Sequence, residues 1–285
     1  MTLVEVFKLL LLLTIVLNVL AIALEARTQD VAYLFREWRL GLRALVAMFV
    51  VVPAVAILIA YFFDLKPAVK VALVVLAFSP VPPILPKKQL KAGGSASYVT
   101  GLLVAAAIVS LVVAPLGIEL IGTIFGLDTG LSAVSIARVL AIGIALPLVL
   151  GLIGQRVLGD RTPKVAAMIA RVASIMLLVG VVVLIVVMAP AMWTVIGDGT
   201  IVALIAMILA GLAAGYWLGG DVPQDKVVLS LAAATRHPGV AITIATSSFA
   251  DAKLAPAAIL LFVVLNAIVT IPWLRYLGKR ASAAT

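Results

Sequence analysis

Between Val227 and Ala250 the chain runs apolar for long enough to cross a bilayer, yet the middle of that run reads Thr235-Arg236-His237-Pro238-Gly239. An arginine and the chain's only histidine stand there beside a Pro-Gly breaker. A central arginine costs roughly 2.5–3.5 kcal/mol on insertion scales, so such a group faces protein or water rather than lipid. An earlier apolar run ends in a second interruption, Ser79-Pro80-Val81-Pro82-Pro83. The two interruptions occupy comparable places in the two halves of the chain, and paired broken helices point to a transport site near the midplane.

The remainder of the chain fits a membrane fold. Hydrophobic residues make up 65% of it and charged residues 12%, with a mean hydropathy of +1.31, outside the range of soluble domains. Spans of about 20 residues with short loops leave room for about eight to ten helices and no separate soluble domain. The pattern predicts one all-α domain over 1–285, with its two halves at about 1–130 and about 131–281. Its nine expected spans are Leu3–Leu24, Trp38–Phe63, Ala68–Ser79 with a short Ile84–Ala92 continuation, Ser95–Leu116, Ala133–Val157, Pro163–Met188, Thr200–Leu218, the broken Gln224–Ala250, and Pro256–Leu277. A polar-flanked stretch, Gly117–Leu131, separates the fourth from the fifth. Without cysteine there is no disulfide, thiol nucleophile or thiolate-held metal.

The basic residues orient these spans. Alternate loops place Arg27, Arg36, Arg39, Arg43, Lys87, Lys88, Lys91, Arg156, Arg161, Lys164, Lys226, Arg275, Lys279 and Arg280 on one side, and only Lys8, Lys66, Lys70 and Lys253 on the other. The split predicts a multi-pass plasma-membrane protein with its N-terminus outside and its C-terminus cytoplasmic. It also accounts for the net charge of +9, with anionic lipid as the partner and no nucleic acid. Ala21-Ile22-Ala23 has the small-x-small look of a cleavage site. The apolar run before it is longer than a signal peptide needs and its heavier positive flank follows it, so a membrane helix is the expected reading.

The acids exclude several chemistries. All 12 Asp and Glu residues fall at span ends or in loops, which leaves no carboxylate at the midplane for aspartyl proteolysis. One histidine and no H-E-x-x-H pattern argue against a metalloprotease, and no metal or cofactor is expected. Near the breaks the basic groups dominate. Arg236 and His237 lie at the second break, and Lys87 and Lys88 follow the first by a few residues. A half-helix restarting after each break would aim its N-terminus at the same level, so a guanidinium and two helix N-termini make an anion site.

Each residue also has a plainer reading. Lys87 and Lys88 can snorkel to the headgroups, and Arg236 can brace carbonyls freed where the helix breaks. His237 can carry a proton or simply fill a hydrogen-bonded slot. Asn18 and Asn266 are expected to hydrogen-bond between helices. Pro53 and Pro147 read as kinks, and Trp38, Trp193 and Trp273 as interfacial anchors.

The run Leu146-Pro147-Leu148-Val149-Leu150-Gly151-Leu152-Ile153-Gly154-Gln155-Arg156-Val157-Leu158-Gly159 resembles a helix and following basic turn of the bile acid:sodium symporter family. Pro238-Gly239-Val240-Ala241 resembles the stretch after that family's second crossover, and Met48–Val55 with Pro53 fits as well. The resemblance implies a core and a panel domain built from inverted repeats, two broken helices crossing in the core, and transport of organic anions by an elevator or rocking motion. The nine spans would then correspond to members lacking the first helix of ten. The sodium motifs differ. At the first crossover Pro80-Val81-Pro82-Pro83-Ile84-Leu85-Pro86 stands in place of Pro-Gly-Gly-x-x-Ser-Asn. At the second, Ala232, Ala234, Arg236 and His237 stand where the family has its acid, Gly, Gln and Asn. A fixed guanidinium can balance the helix C-terminal dipoles that a sodium ion would otherwise balance.

The expected function is therefore secondary transport of a small organic anion, with a proton or no coupling ion favoured over sodium. The expected site comprises Thr235, Arg236, His237, Pro82, Pro83, Pro238, Gly239, Asn18 and Asn266. A sodium- or proton-coupled symporter of the same superfamily and a channel-like pore stay open as alternatives, with an intramembrane enzyme or a receptor-like binding protein more distant.

Overall fold

The computed structural model describes residues 3–26, 29, 32–82, 84–125, 134, 137–138, 141–249 and 251–282. Among them there are helices and no strand. In chain order they are α1 (Leu3–Glu25), α2 (Tyr33–Arg36), α3 (Trp38–Phe62, with a π-turn at Ala47–Val51), α4 (Pro67–Phe78), α5 (Leu85–Lys91) and α6 (Ala96–Phe125). A second π-turn, Ala141–Ala145, leads into α7 (Leu146–Leu158). There follow α8 (Thr162–Val195), α9 (Thr200–Leu218), α10 (Pro223–Ala234), α11 (Pro238–Ser248) and α12 (Ala255–Ser282).

Prolines open many of these helices. Pro53 and Pro147 each follow closely on a π-turn, whereas Pro67, Pro86, Pro163, Pro223 and Pro238 each stand in a first turn. In the latter the missing N–H falls among donors that have no intrahelical acceptor anyway, and the fixed φ suits the helix. Pro115 and Pro190 lie inside helices instead. For this reason α6 continues through Gly117–Ile124, where a polar-flanked stretch was expected, and α8 runs past the expected end at Met188 to Val195. Prolines are tolerated within membrane helices because neighbouring groups satisfy the freed carbonyls.

Six helical stretches among the described residues are long and apolar enough to cross a membrane: Trp38–Phe62, Ala96–Glu119, Ala141–Val195, Thr200–Leu218, Pro223–Ser248 and Ala255–Tyr276. Two shorter apolar helices, Leu12–Glu25 and Pro67–Phe78, accompany them. At about 1.5 Å per residue the long stretch Ala141–Val195 exceeds one bilayer, and a 3₁₀ turn at Gly159–Arg161 divides it into α7 and α8.

Burial sorts the helices into a centre and an outer layer. Ten of the twelve residues of α4 are buried, as are eight of the twelve of α10, which puts both in the middle. Only six of the 34 residues of α8 are buried, so most of its surface is left for lipid. Along the outer layer α1 packs against both α7 and α8, and Gln155 of α7 donates to the Ala23 and Ala26 carbonyls at the end of α1. In the centre α9 and α10 approach closely. A Cβ added at Gly211 would stand 2.7 Å from the Ala233 carbonyl oxygen, so only glycine admits this contact.

Candidate functional site

The two interruptions meet. Ser79 and Thr235 leave the helical conformation for extended backbone (φ −73°, ψ 149° and φ −103°, ψ 127°), which ends α4 and α10. The His237 N–H donates to the Pro80 carbonyl at 2.9 Å, tying one break to the other. Around this point α4 packs against α11, and α5 against α10. Gln89, which the sequence reading passed over, is buried and donates from Nε2 to the Val228 carbonyl at 2.8 Å, joining α5 to α10.

Among the described residues Arg236 is the largest fully buried side chain, 1% exposed. Nη2 donates to the Met48 carbonyl at 2.7 Å and Nη1 to the Ser79 carbonyl at 3.3 Å, while Nε has no partner. Among the described residues no carboxylate lies within ion-pair distance of the guanidinium. Both carbonyls are free for a reason. Ser79 follows the end of α4. Met48 sits in the π-turn, where the Val52 N–H reaches back to Ala47, so the donor due to Met48 in the same register would be residue 53. That residue is Pro53, which has none. Pro53, expected as a kink, thus opens an acceptor that Arg236 fills from 188 residues away.

Because the break is extended, neighbouring side chains diverge. His237 lines a cavity of about 30 Å³ with Ile15 and Val19 of α1 and Pro80 and Val81 of the first break. Its Nδ1 accepts the Val240 N–H at 3.4 Å, which caps α11 and leaves the ring's proton on Nε2, a buried atom with no partner. Arg236 and Thr235 instead line a cavity of about 240 Å³ with Pro82, Pro238, Asn266, Ile84 and Lys88, and with Leu177, Leu178 and Val181 of α8. Asn266 of α12 donates to the Ala234 carbonyl at 2.8 Å, and its Oδ1 accepts the Thr235 hydroxyl at 3.4 Å.

The structure therefore groups Thr235, Arg236, Pro82, Pro238 and Asn266 around one cavity and turns His237 to another. Gly239 packs against the His237 ring and Ile15, at the first turn of α11. Pro83 lies outside the described residues. Asn18 departs from the expected interhelical bond: its amide donates to Thr14 of its own helix at 2.8 Å, and it lines neither cavity. Lys87 reaches Ser174 of α8 at 3.4 Å. The helix N-termini contribute less than the sequence suggests. At α11 Pro238 has no N–H, and the amides of Val240 and Ala241 both go to His237. The α5 helix is only seven residues long. Fixed positive charge at the larger cavity rests on Arg236 and Lys88.

A family model described as the sodium bile acid symporter family matches residues 11–197. The matched stretch includes the first break and stops short of the second. No curated protein matches the chain.

Proposed function

From the premise that this chain belongs to the sodium bile acid symporter family, we propose that it carries a small organic anion across the plasma membrane without that family's sodium ions. As a member it is a membrane transporter and not an enzyme. The proposal extends to nine spans arranged as inverted repeats of about 1–130 and 131–281, with the N-terminus outside and the C-terminus cytoplasmic. In it α1, α7 and α8 act as the panel, and the buried helices as the core that crosses at the two breaks.

The observation that carries the reading is the buried Arg236 guanidinium, bonded to two backbone carbonyls and, among the described residues, to no carboxylate. A cation in a low-dielectric interior is costly unless its surroundings compensate. Carbonyls at two helix breaks provide part of that compensation, as they would for a metal cation, so the guanidinium stands where a coupling ion would be useful. The residual positive potential falls on the adjacent 240 Å³ cavity, where Thr235, Asn266 and Lys88 add polar groups to an otherwise apolar lining. Cavities that enclose drug-sized ligands run about 300–1,000 Å³, so this one suits a compact monoanion with an apolar body better than a steroid. Coupling is to a proton or to no ion; His237 supports the second, since its Nδ1 already accepts a hydrogen bond and its ring faces away from this cavity.

Thermal unfolding of the purified protein against a panel of short aliphatic and aromatic carboxylates, sulfonates and bile salts tests this, because a ligand stabilises by mass action. The expected result is stabilisation by one or more compact carboxylates that is independent of sodium and weakened in Arg236→Lys, where the planar fork is lost. Stabilisation by bile salts alone, or only in the presence of sodium, would overturn it.

A further inference from the structure

On another face of the molecule a groove of about 290 Å³ runs between the α2–α3 segment and α6. Leu34, Phe35, Trp38 and Leu42 form one wall, Ile108 and Val109 the other. Several of these side chains are widely exposed: Phe35 at 78%, Trp38 at 60% and Leu42 at 55%. Next to Leu34 along the chain, the Tyr33 ring meets the Tyr98 ring at 6.2 Å between centroids. Tyr98 lies in the first turn of α6, whereas Val104–Val109 lie roughly 9–17 Å further along it at about 1.5 Å per residue. The groove thus reaches about as deep as one leaflet of a core roughly 30 Å thick.

The rim of the groove is basic. Arg36, Arg39 and Arg43 are all exposed on the same segment, with Glu37 the one acid among them. The Arg39 guanidinium carbon sits 5.6 Å above the Trp38 ring, which brings its charge to the edge of a groove-lining residue. An apolar trough one leaflet deep with arginines at its mouth is complementary to one kind of molecule, a lipid whose headgroup is anionic. We propose that this groove is a specific site for an anionic glycerophospholipid: an acyl chain lies between Trp38–Leu42 and Ile108–Val109, and the headgroup phosphate is held by Arg39 and Arg43. This site is separate from the substrate cavity and does not depend on what is transported.

The test is a titration of the detergent-purified protein with phosphatidylglycerol and with phosphatidylcholine of identical chains, bound lipid being counted by mass spectrometry of the intact protein. Each arginine near an anionic surface contributes roughly fivefold in affinity. Phosphatidylglycerol should therefore bind more tightly than phosphatidylcholine by roughly tenfold or more, and Arg39→Gln with Arg43→Gln should bring the two within about twofold. Ile108→Trp, which fills the trough from the α6 side, should release both lipids. Glycerol 3-phosphate, the headgroup chemistry without chains, should compete poorly. Equal binding of the two lipids, an unchanged preference in the double variant, full displacement by glycerol 3-phosphate, or a dimer in place of lipid adducts would each overturn the proposal. All substituted side chains but Ile108 are exposed and charged, so the arginine arm remains decisive if Ile108→Trp misfolds.

Discussion

Replacing Arg236 with alanine withdraws two donors at once. The Met48 and Ser79 carbonyls, held at 2.7 and 3.3 Å, would both be left buried without their partner. An unsatisfied buried acceptor costs about 1–3 kcal/mol, which sets an expected loss of about 2–6 kcal/mol for the pair. The Met48 share has a second, separable cause, because that carbonyl is open only while residue 53 lacks an N–H. Pro53→Ala restores a donor at that position. In the wild-type background it should change stability little, since Arg236 already fills the acceptor. In the Arg236→Ala background it should recover part of the loss, giving a coupling of about 1–2 kcal/mol between residues far apart in sequence. Urea unfolding in detergent of the wild type, the two single variants and the double variant, followed by tryptophan fluorescence, measures this directly. Additivity within about 0.5 kcal/mol would refute the argument that Pro53 creates the acceptor. A stable Arg236→Ala variant transporting at the wild-type rate would remove Arg236 from the site altogether.

Three further outcomes are expected. Exchanging sodium for potassium or choline at constant pH should alter ligand binding or uptake by less than about threefold, under roughly 0.7 kcal/mol of coupling; a sodium dependence with a Hill slope near two contradicts this. Gly211→Val should lower thermal stability sharply, because its Cβ would press on the Ala233 carbonyl from 2.7 Å and rigid backbone cannot yield; melting temperatures of the two proteins decide it. Reporter fusions after Gly94, Gly159 and Gly220 should register cytoplasm and those after Lys66, Asp198 and Asp251 the outside, as the distribution of lysine and arginine predicts; a reversed interior loop ends the inverted-repeat reading.

The features legible in the sequence were those marked by local chemistry. Pro-Gly at 238–239 and the proline cluster after Ser79 end helices wherever they fall, and an arginine within an apolar run must be buried against something. What could not be read was the identity of that something. Hydrophobic periodicity over Trp38–Phe62 is the same for an α-helix and for one holding a π-turn, so the freed Met48 carbonyl leaves no trace beyond Pro53 itself. Gln89 was obscured by the lysines beside it, and its acceptor at Val228 is 139 residues away. Asn18 looked like a cross-helix donor, but a carbonyl four residues back was within reach and won. The expected spans stop at Leu116 and Met188, whereas α6 and α8 continue beyond them with Pro115 and Pro190 inside the helices.

The extended backbone between α10 and α11 makes the break a matter of reading frame. Side chains along such backbone do not share one face, and here Thr235 and Arg236 meet the larger cavity while His237 meets α1. Inserting or deleting one residue between Ala234 and Pro238 would take either the guanidinium away from the Met48 and Ser79 carbonyls or the imidazole away from the Val240 N–H it caps. Drift in this segment can therefore change letters more freely than it can change length, and a chain with four residues between these two half-helices instead of three would need a different device to hold its crossing together.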